Sequence, residues 1–213
     1  MLENLSDINL KEQFKSNTKL RLTTFIVGGL AVLVLGYFLY IQFIWKSSNE
    51  KSKGAYYIGL NYADKDSTDA AINELKPVVK KYDGKIGGEV AQFVLARQLM
   101  AKGQFKQALD ELEDVDVEDT YVSAMSLGLQ GDCQSELTKY EDAVELYVKA
   151  AEINDNELTT PMYLFKAGLV SEKLKDFEKA TEYYTSIKDN YPDFGRQKTI
   201  EKYIARTSNN TKK

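Results

Sequence analysis

The sequence predicts an all-α protein in which a single N-terminal transmembrane helix is followed by a superhelix of stacked helical hairpins. Three observations lead there. Leu22 to Trp45 is a run of 24 residues without a charged side chain. Beyond it, a small residue followed twelve positions later by alanine recurs four times at nearly constant spacing. The chain also contains only three prolines, so long stretches are free to be helical.

Residues 1–21 are expected to form a short tail carrying Lys11, Lys15, Lys19 and Arg21, with Leu5, Ile8 and Phe14 able to support a brief amphipathic turn. The apolar run over 22–45 reaches about 36 Å as a helix, enough to span a hydrocarbon core of roughly 30 Å with some tilt. Arg21 and Lys46 bracket it, and Tyr37, Tyr40 and Trp45 gather toward its C-terminal end as an interfacial aromatic belt would. A secretory leader would have a shorter apolar stretch ending in small residues. This one ends Gln42-Phe43-Ile44-Trp45, which favours an uncleaved anchor. Basic residues flank the two ends equally, so charge alone leaves the orientation tied. Long domains cross membranes largely regardless of charge, which favours the tail inside and the large domain outside. Gly29 and Gly36 lie two helical turns apart and mark a candidate contact for another transmembrane helix. Residues 46–53 form a polar link, which can also continue the anchoring helix.

The repeats occupy residues 54–192. Gly59, Ala96, Gly131 and Gly168 stand twelve residues before Ala71, Ala108, Ala143 and Ala180, and successive alanines are 37, 35 and 37 residues apart. Three residues before each alanine stand Thr68, Phe105, Tyr140 and Phe177. Four residues after stand Leu75, Leu112, Tyr147 and Tyr184. Offsets of three and four place these side chains on one helix face. The small residue falls on a first helix and the constant alanine on a second, so a crossing of two small side chains is expected at each hairpin. Polar turns separate the helices at Lys102-Gly103-Gln104, Leu137-Thr138-Lys139 and Leu174-Lys175-Asp176. After Pro192, residues 193–206 are expected to form one capping helix with Ile200, Tyr203 and Ile204 on its buried side, and 207–213 a flexible tail.

Composition argues against several chemistries. The sequence has no histidine, which removes the commonest general base and metal ligand. Its single cysteine, Cys133, falls within a first helix and reads as a small buried hydrophobe. Gly84-Lys85-Ile86-Gly87-Gly88 reads as a turn between helical units, since no strand precedes it as a phosphate loop requires. Glu111/Glu113 and Asp114/Asp116 read as solvated surface. The formal charge is −4, with no dense basic block for nucleic acid. No cofactor, metal or catalytic residue is expected.

The pattern closely resembles the tetratricopeptide repeat (TPR): a small residue in the first helix, an aromatic-x-x-Ala opening of the second, Gly103 in the turn, and Pro192 twelve residues after Ala180. The resemblance covers about Gly54 to Pro192. It departs at Thr68, in the absence of an early tryptophan, and at Gln130 and Gln134, where apolar residues are usual. It implies a concave groove lined by Val90, Phe93, Arg97 and Met100 in the second unit, Met125, Gly128, Asp132 and Ser135 in the third, and Met162, Phe165, Leu169 and Glu172 in the fourth. Of these, Val90, Phe93, Arg97, Met100, Met125, Asp132, Met162, Phe165 and Leu169 are the candidate partner contacts. Adaptable methionines suit such a surface. The layout of tail, one membrane helix and about four repeats resembles the YfgM-type ancillary subunits of the SecYEG protein-translocation channel. That resemblance implies a non-enzymatic adaptor or chaperone at the bacterial inner membrane, with its N-terminus cytoplasmic and its repeats periplasmic. Its implied partners are the channel, a membrane-anchored periplasmic chaperone and emerging polypeptides. A general scaffold for an envelope complex is the alternative.

Overall fold

The computed structural model describes residues 14–211, so the readings for residues 1–13, Lys11 included, and for Lys212 and Lys213 lie outside the described residues. The chain divides into two units, residues 1–50 and 51–213.

In the first unit, α1 (Thr18–Leu39) begins on Asn17, whose side chain accepts from the Leu20 backbone N–H at 3.1 Å. None of its 22 residues is buried, and it is apolar on every side, long enough by length and composition to cross a membrane. The helix does not continue as a single α-helix to Trp45. Tyr40–Trp45 follows as a π-helical segment, and α2 (Lys46–Ser52) then takes most of the segment read as a polar link.

The second unit is a series of four helical hairpins: α3 (Tyr57–Asp64) with α4 (Thr68–Lys81), α5 (Ile86–Ala101) with α6 (Phe105–Glu113), α7 (Thr120–Glu136) with α8 (Tyr140–Glu152), and α9 (Thr159–Lys173) with α10 (Phe177–Asn190). Each helix packs on the next in sequence. First helices also meet one another, α3 with α5 and α7 with α9, so they form the inner layer of the stack. Among the described residues there is no strand.

The four turns inside the hairpins share one device. Asp66, Gly103, Thr138 and Lys175 each stand five residues before a constant alanine, and all have positive φ, between 55 and 71°. The N–H of the following residue reaches back to the carbonyl five positions earlier, as in Gln104 to Leu99, Lys139 to Gln134 and Asp176 to Ser171, each at 2.9 Å. This ends the first helix and satisfies one of its open carbonyls. Only one of the four residues is glycine, so the other three carry a side chain in a left-handed conformation.

Gly84 supplies the positive φ of the turn before α5, but Gly87 and Gly88 are not part of that turn. They lie in the first turn of α5, where a Cβ would come within 1.8 Å of the Ser52 carbonyl oxygen and 1.9 Å of the Tyr82 carbonyl oxygen. The end of the stack also differs from the single capping helix expected over 193–206. Two helices form, α11 (Pro192–Lys198) and α12 (Ile200–Thr211), broken at Thr199, which has φ 53°. Helix α12 extends through most of the segment expected to be a flexible tail, because Thr207 is completely buried and its hydroxyl lies 2.7 Å from the Thr181 hydroxyl.

Candidate functional site

The surface available to partners depends on how the repeats lock together. All four constant alanines, Ala71, Ala108, Ala143 and Ala180, have no exposed area. The nearest neighbour of the small first-helix residue is not that alanine, however. A Cβ on Gly59 would lie 2.5 Å from Leu75, on Gly131 2.7 Å from the Tyr147 ring, and on Gly168 2.4 Å from the Tyr184 ring. The partner is always sixteen residues ahead, on the large side chain four positions past the alanine. Each glycine therefore makes room for a large side chain, rather than letting two small ones meet. Gly128 does the same between repeats, since a Cβ there would lie 2.0 Å from the Tyr163 ring of the next hairpin.

Above this packing sit two ionic nodes, one joining the third and fourth repeats and one joining the fourth repeat to α12. Asp132 of α7 accepts from Lys166 of α9 through both carboxylate oxygens at 2.8 Å, and from the Tyr147 hydroxyl at 2.6 Å. The Lys166 ammonium also lies 5.6 Å from the Tyr147 ring centroid and 5.8 Å from that of Tyr163. Glu172 of α9 accepts from Arg206 of α12 at 2.8 and 2.6 Å and from the Tyr184 hydroxyl at 2.8 Å. Both acid–base pairs are 34 residues apart. That common separation was the one sequence signal that could have revealed them.

Charge states follow from these surroundings. Burial raises the Tyr147 phenol, with the Asp132 charge and its hydrogen bond adding to the effect. Burial pushes Tyr163 up to about 12, again with Asp132 contributing. Burial raises Tyr184 as well, helped by its bond to Glu172, while Glu172 holds Arg206 more firmly protonated. Burial pushes the Cys133 thiol up to about 11, beside Asp132 and Glu136, which leaves it a poor nucleophile. These groups serve structure, and no cluster of metal-ligating side chains exists among the described residues. Glu111 is not simply solvated surface. It is half-buried, receives a hydrogen bond from Gln92 at 3.2 Å and has a raised pKa caused first by burial.

The nine candidate groove residues divide by what they touch. Val90, Phe93 and Met100 are half-buried against the core shared by α4, α5 and α6, and Met162 against the core around Tyr147 and Tyr163. Asp132 is engaged by Lys166 and Tyr147. Phe165 is covered rather than open: its ring lies 5.0 Å from Tyr203 of α12 and 5.9 Å from Tyr184. Arg97, Met125 and Leu169 remain exposed. In the first unit, a Cβ at Gly29 or Gly36 would meet nothing within 4 Å. The repeat pattern could not distinguish these cases, because a groove position and a position beneath the next helix share one periodicity.

The geometry defines a superhelix of helical hairpins with the fold of tetratricopeptide repeats. Residues 163–193 match the family model for the tetratricopeptide repeat. The crystal structure of MamA protein superposes with a TM-score of 0.63 at 22% identity, over 76% of this chain and 84% of that one. A kinesin light chain-like protein with nearly identical TPR-like repeats from Podosopora anserina gives 0.60 at 15% identity, over 76% and 87%. The apo form of RapI gives 0.57 at 18% identity, over 92% and 71%. At these identities the likeness is one of fold. No curated protein matches the chain significantly.

Proposed function

We propose that this chain is a membrane-tethered adaptor that binds other proteins through its repeat superhelix. The observation that carries this reading is the presence in one chain of α1, an apolar helix with no buried residue, and a hairpin superhelix of the tetratricopeptide type. A helix apolar all round, none of whose residues is buried, is suited to lipid, while stacked repeats offer extended surfaces to partners. Within the groove, Arg97, Met125 and Leu169 are the side chains assigned to partner contact, because packing and ion pairs leave them open.

The finer reading is an ancillary subunit of the Sec protein-translocation channel at the bacterial inner membrane, with its N-terminus cytoplasmic and its repeats periplasmic. SecYEG, a membrane-anchored periplasmic chaperone and emerging polypeptides would be its partners. The succession of an apolar helix and four repeats supports it. The full chain, crosslinked in cells and purified in mild detergent, should carry channel subunits, and Met125→Asp with Leu169→Asp should reduce their yield. Consistent absence of those subunits rejects the translocon role. Protection of the repeats from protease in intact spheroplasts rejects the periplasmic placement.

A further inference from the structure

Helices α8 and α10, the second helices of successive hairpins, both pack on α9 and barely touch each other. The gap between them holds two clefts of about 460 and 310 Å³. The clefts share Glu141, Val144 and Lys179, so they form one trough along α8. Its apolar lining comes from Val144 and Val148 of α8, Tyr183 of α10 and Leu174 after α9, all half-buried. Ser171 of α9 is 1% exposed, lines the smaller cleft, and its hydroxyl has no hydrogen-bond partner. A buried hydroxyl without a partner is costly unless something supplies one.

The charges along the trough are unbalanced. Lys149 is held by Glu145 at 2.6 Å and Lys179 by Asp176 at 3.5 Å. Both basic side chains are thus neutralised locally. Glu141 and Glu152, at either end of α8, have no such partner among the described residues. The local field is negative: after burial, Glu182, Asp176 and Glu152 all strengthen the hold of the Tyr183 phenol on its proton. Glu141 and Glu152 are eleven residues apart, a rise of roughly 16 Å along a helix and close to three whole turns.

We propose that this trough docks a basic amphipathic helix of a partner protein, its apolar face on Val144, Val148 and Tyr183 and two basic side chains meeting Glu141 and Glu152. A helix laid along α8 presents residues eleven apart on a single face, which matches the spacing of the two free carboxylates. The inference depends neither on the translocon reading nor on the concave groove, since the trough is lined by the second helices α8 and α10 and the C-terminal end of α9.

The test uses the full chain in lipid nanodiscs and a fluorescent synthetic helix about five turns long. The peptide has leucines on one face and lysines eleven positions apart, and empty nanodiscs provide the baseline. Saturable binding is expected, weakening with salt and falling about fivefold in the Glu141→Gln/Glu152→Gln double variant, the loss of two exposed ion pairs. Both residues are solvent-exposed, so folding should be unaffected. Absence of binding, equal binding of a peptide with glutamates in place of lysines, or unchanged affinity in the double variant overturns the proposal. Arg97→Ala with Met125→Ala should leave peptide affinity unchanged. Loss of binding there instead would place the peptide on the concave face, overturning this inference while leaving the groove reading intact.

Discussion

Replacing Gly168 by alanine sets two physical effects against each other. Helix propensity alone favours alanine in mid-helix by about 1 kcal/mol. The packing opposes it. The added Cβ would lie 2.4 Å from Cε1 and 2.7 Å from Cζ of Tyr184, a side chain with no exposed area. That ring is hemmed in by Phe165 at 5.9 Å and Tyr203 at 5.3 Å, and its hydroxyl is bonded to Glu172 at 2.8 Å. Relief requires the ring to move and strain or break that bond. Overpacking costs roughly 1–3 kcal/mol and a hydrogen bond to a charged group about 1.5–3, so after the propensity gain the expected net loss is about 1.5–5 kcal/mol. Urea denaturation of the full chain in detergent, followed by far-UV circular dichroism, measures it. The second repeat suggests a rescue: Ala96 stands at the small position and Leu112 sixteen residues later, both with almost no exposed area. Gly168→Ala combined with Tyr184→Leu recreates that pair and should be less destabilised than the sum of the single changes. A neutral or stabilising Gly168→Ala, or strict additivity with Tyr184→Leu, refutes the assignment of glycine as the seat of the ring.

Four further outcomes follow from the same packing. Asp132→Asn, which removes the charge facing Lys166 while leaving an acceptor for Tyr147, should cost about 1–2 kcal/mol, discounted for the partial exposure of the pair, with a smaller effect at high salt. Glu89 is buried and accepts from the Asp116 N–H at 2.7 Å; its pKa is raised, first by burial. Its proton-linked stabilisation is therefore complete below the unfolded-chain carboxylate value and lost as pH rises through the higher folded value, so Glu89→Gln should flatten the stability profile across that window. Thr138→Gly should stabilise by about 1 kcal/mol by relieving a β-branched residue at φ 62°, readable as a raised denaturation midpoint. Cys133, its thiol pushed up to about 11 and fully buried, should resist iodoacetamide near pH 8 until the chain is unfolded; fast labelling of the native protein contradicts that burial.

Much of the hairpin architecture was legible because stacking repeats impose a period on the sequence. The constant alanines and the large residues four positions later marked the second helices. The turns were visible as polar breaks, but their left-handed residues were not, since Asp66, Thr138 and Lys175 lack the usual glycine signal. The candidate site was less readable. Phe165 and Leu169 both fit a groove pattern, yet Phe165 lies against Tyr203 and Leu169 faces solvent. The deciding residue, Tyr203, is far along the chain and outside the repeat.

By itself the sequence determined an apolar helix, four hairpins and the spacing of their contacts, because helical periodicity and side-chain size are local properties. Tertiary structure alone decided which large side chain fills each glycine gap, which charges pair across repeats, and which surface stays open. Those outcomes depend on side chains meeting in space: Asp132 finds Lys166, while Glu141 and Glu152 find no basic partner among the described residues. A hydrogen bond or ion pair forms only when approach and geometry are right, and a one-dimensional pattern carries neither.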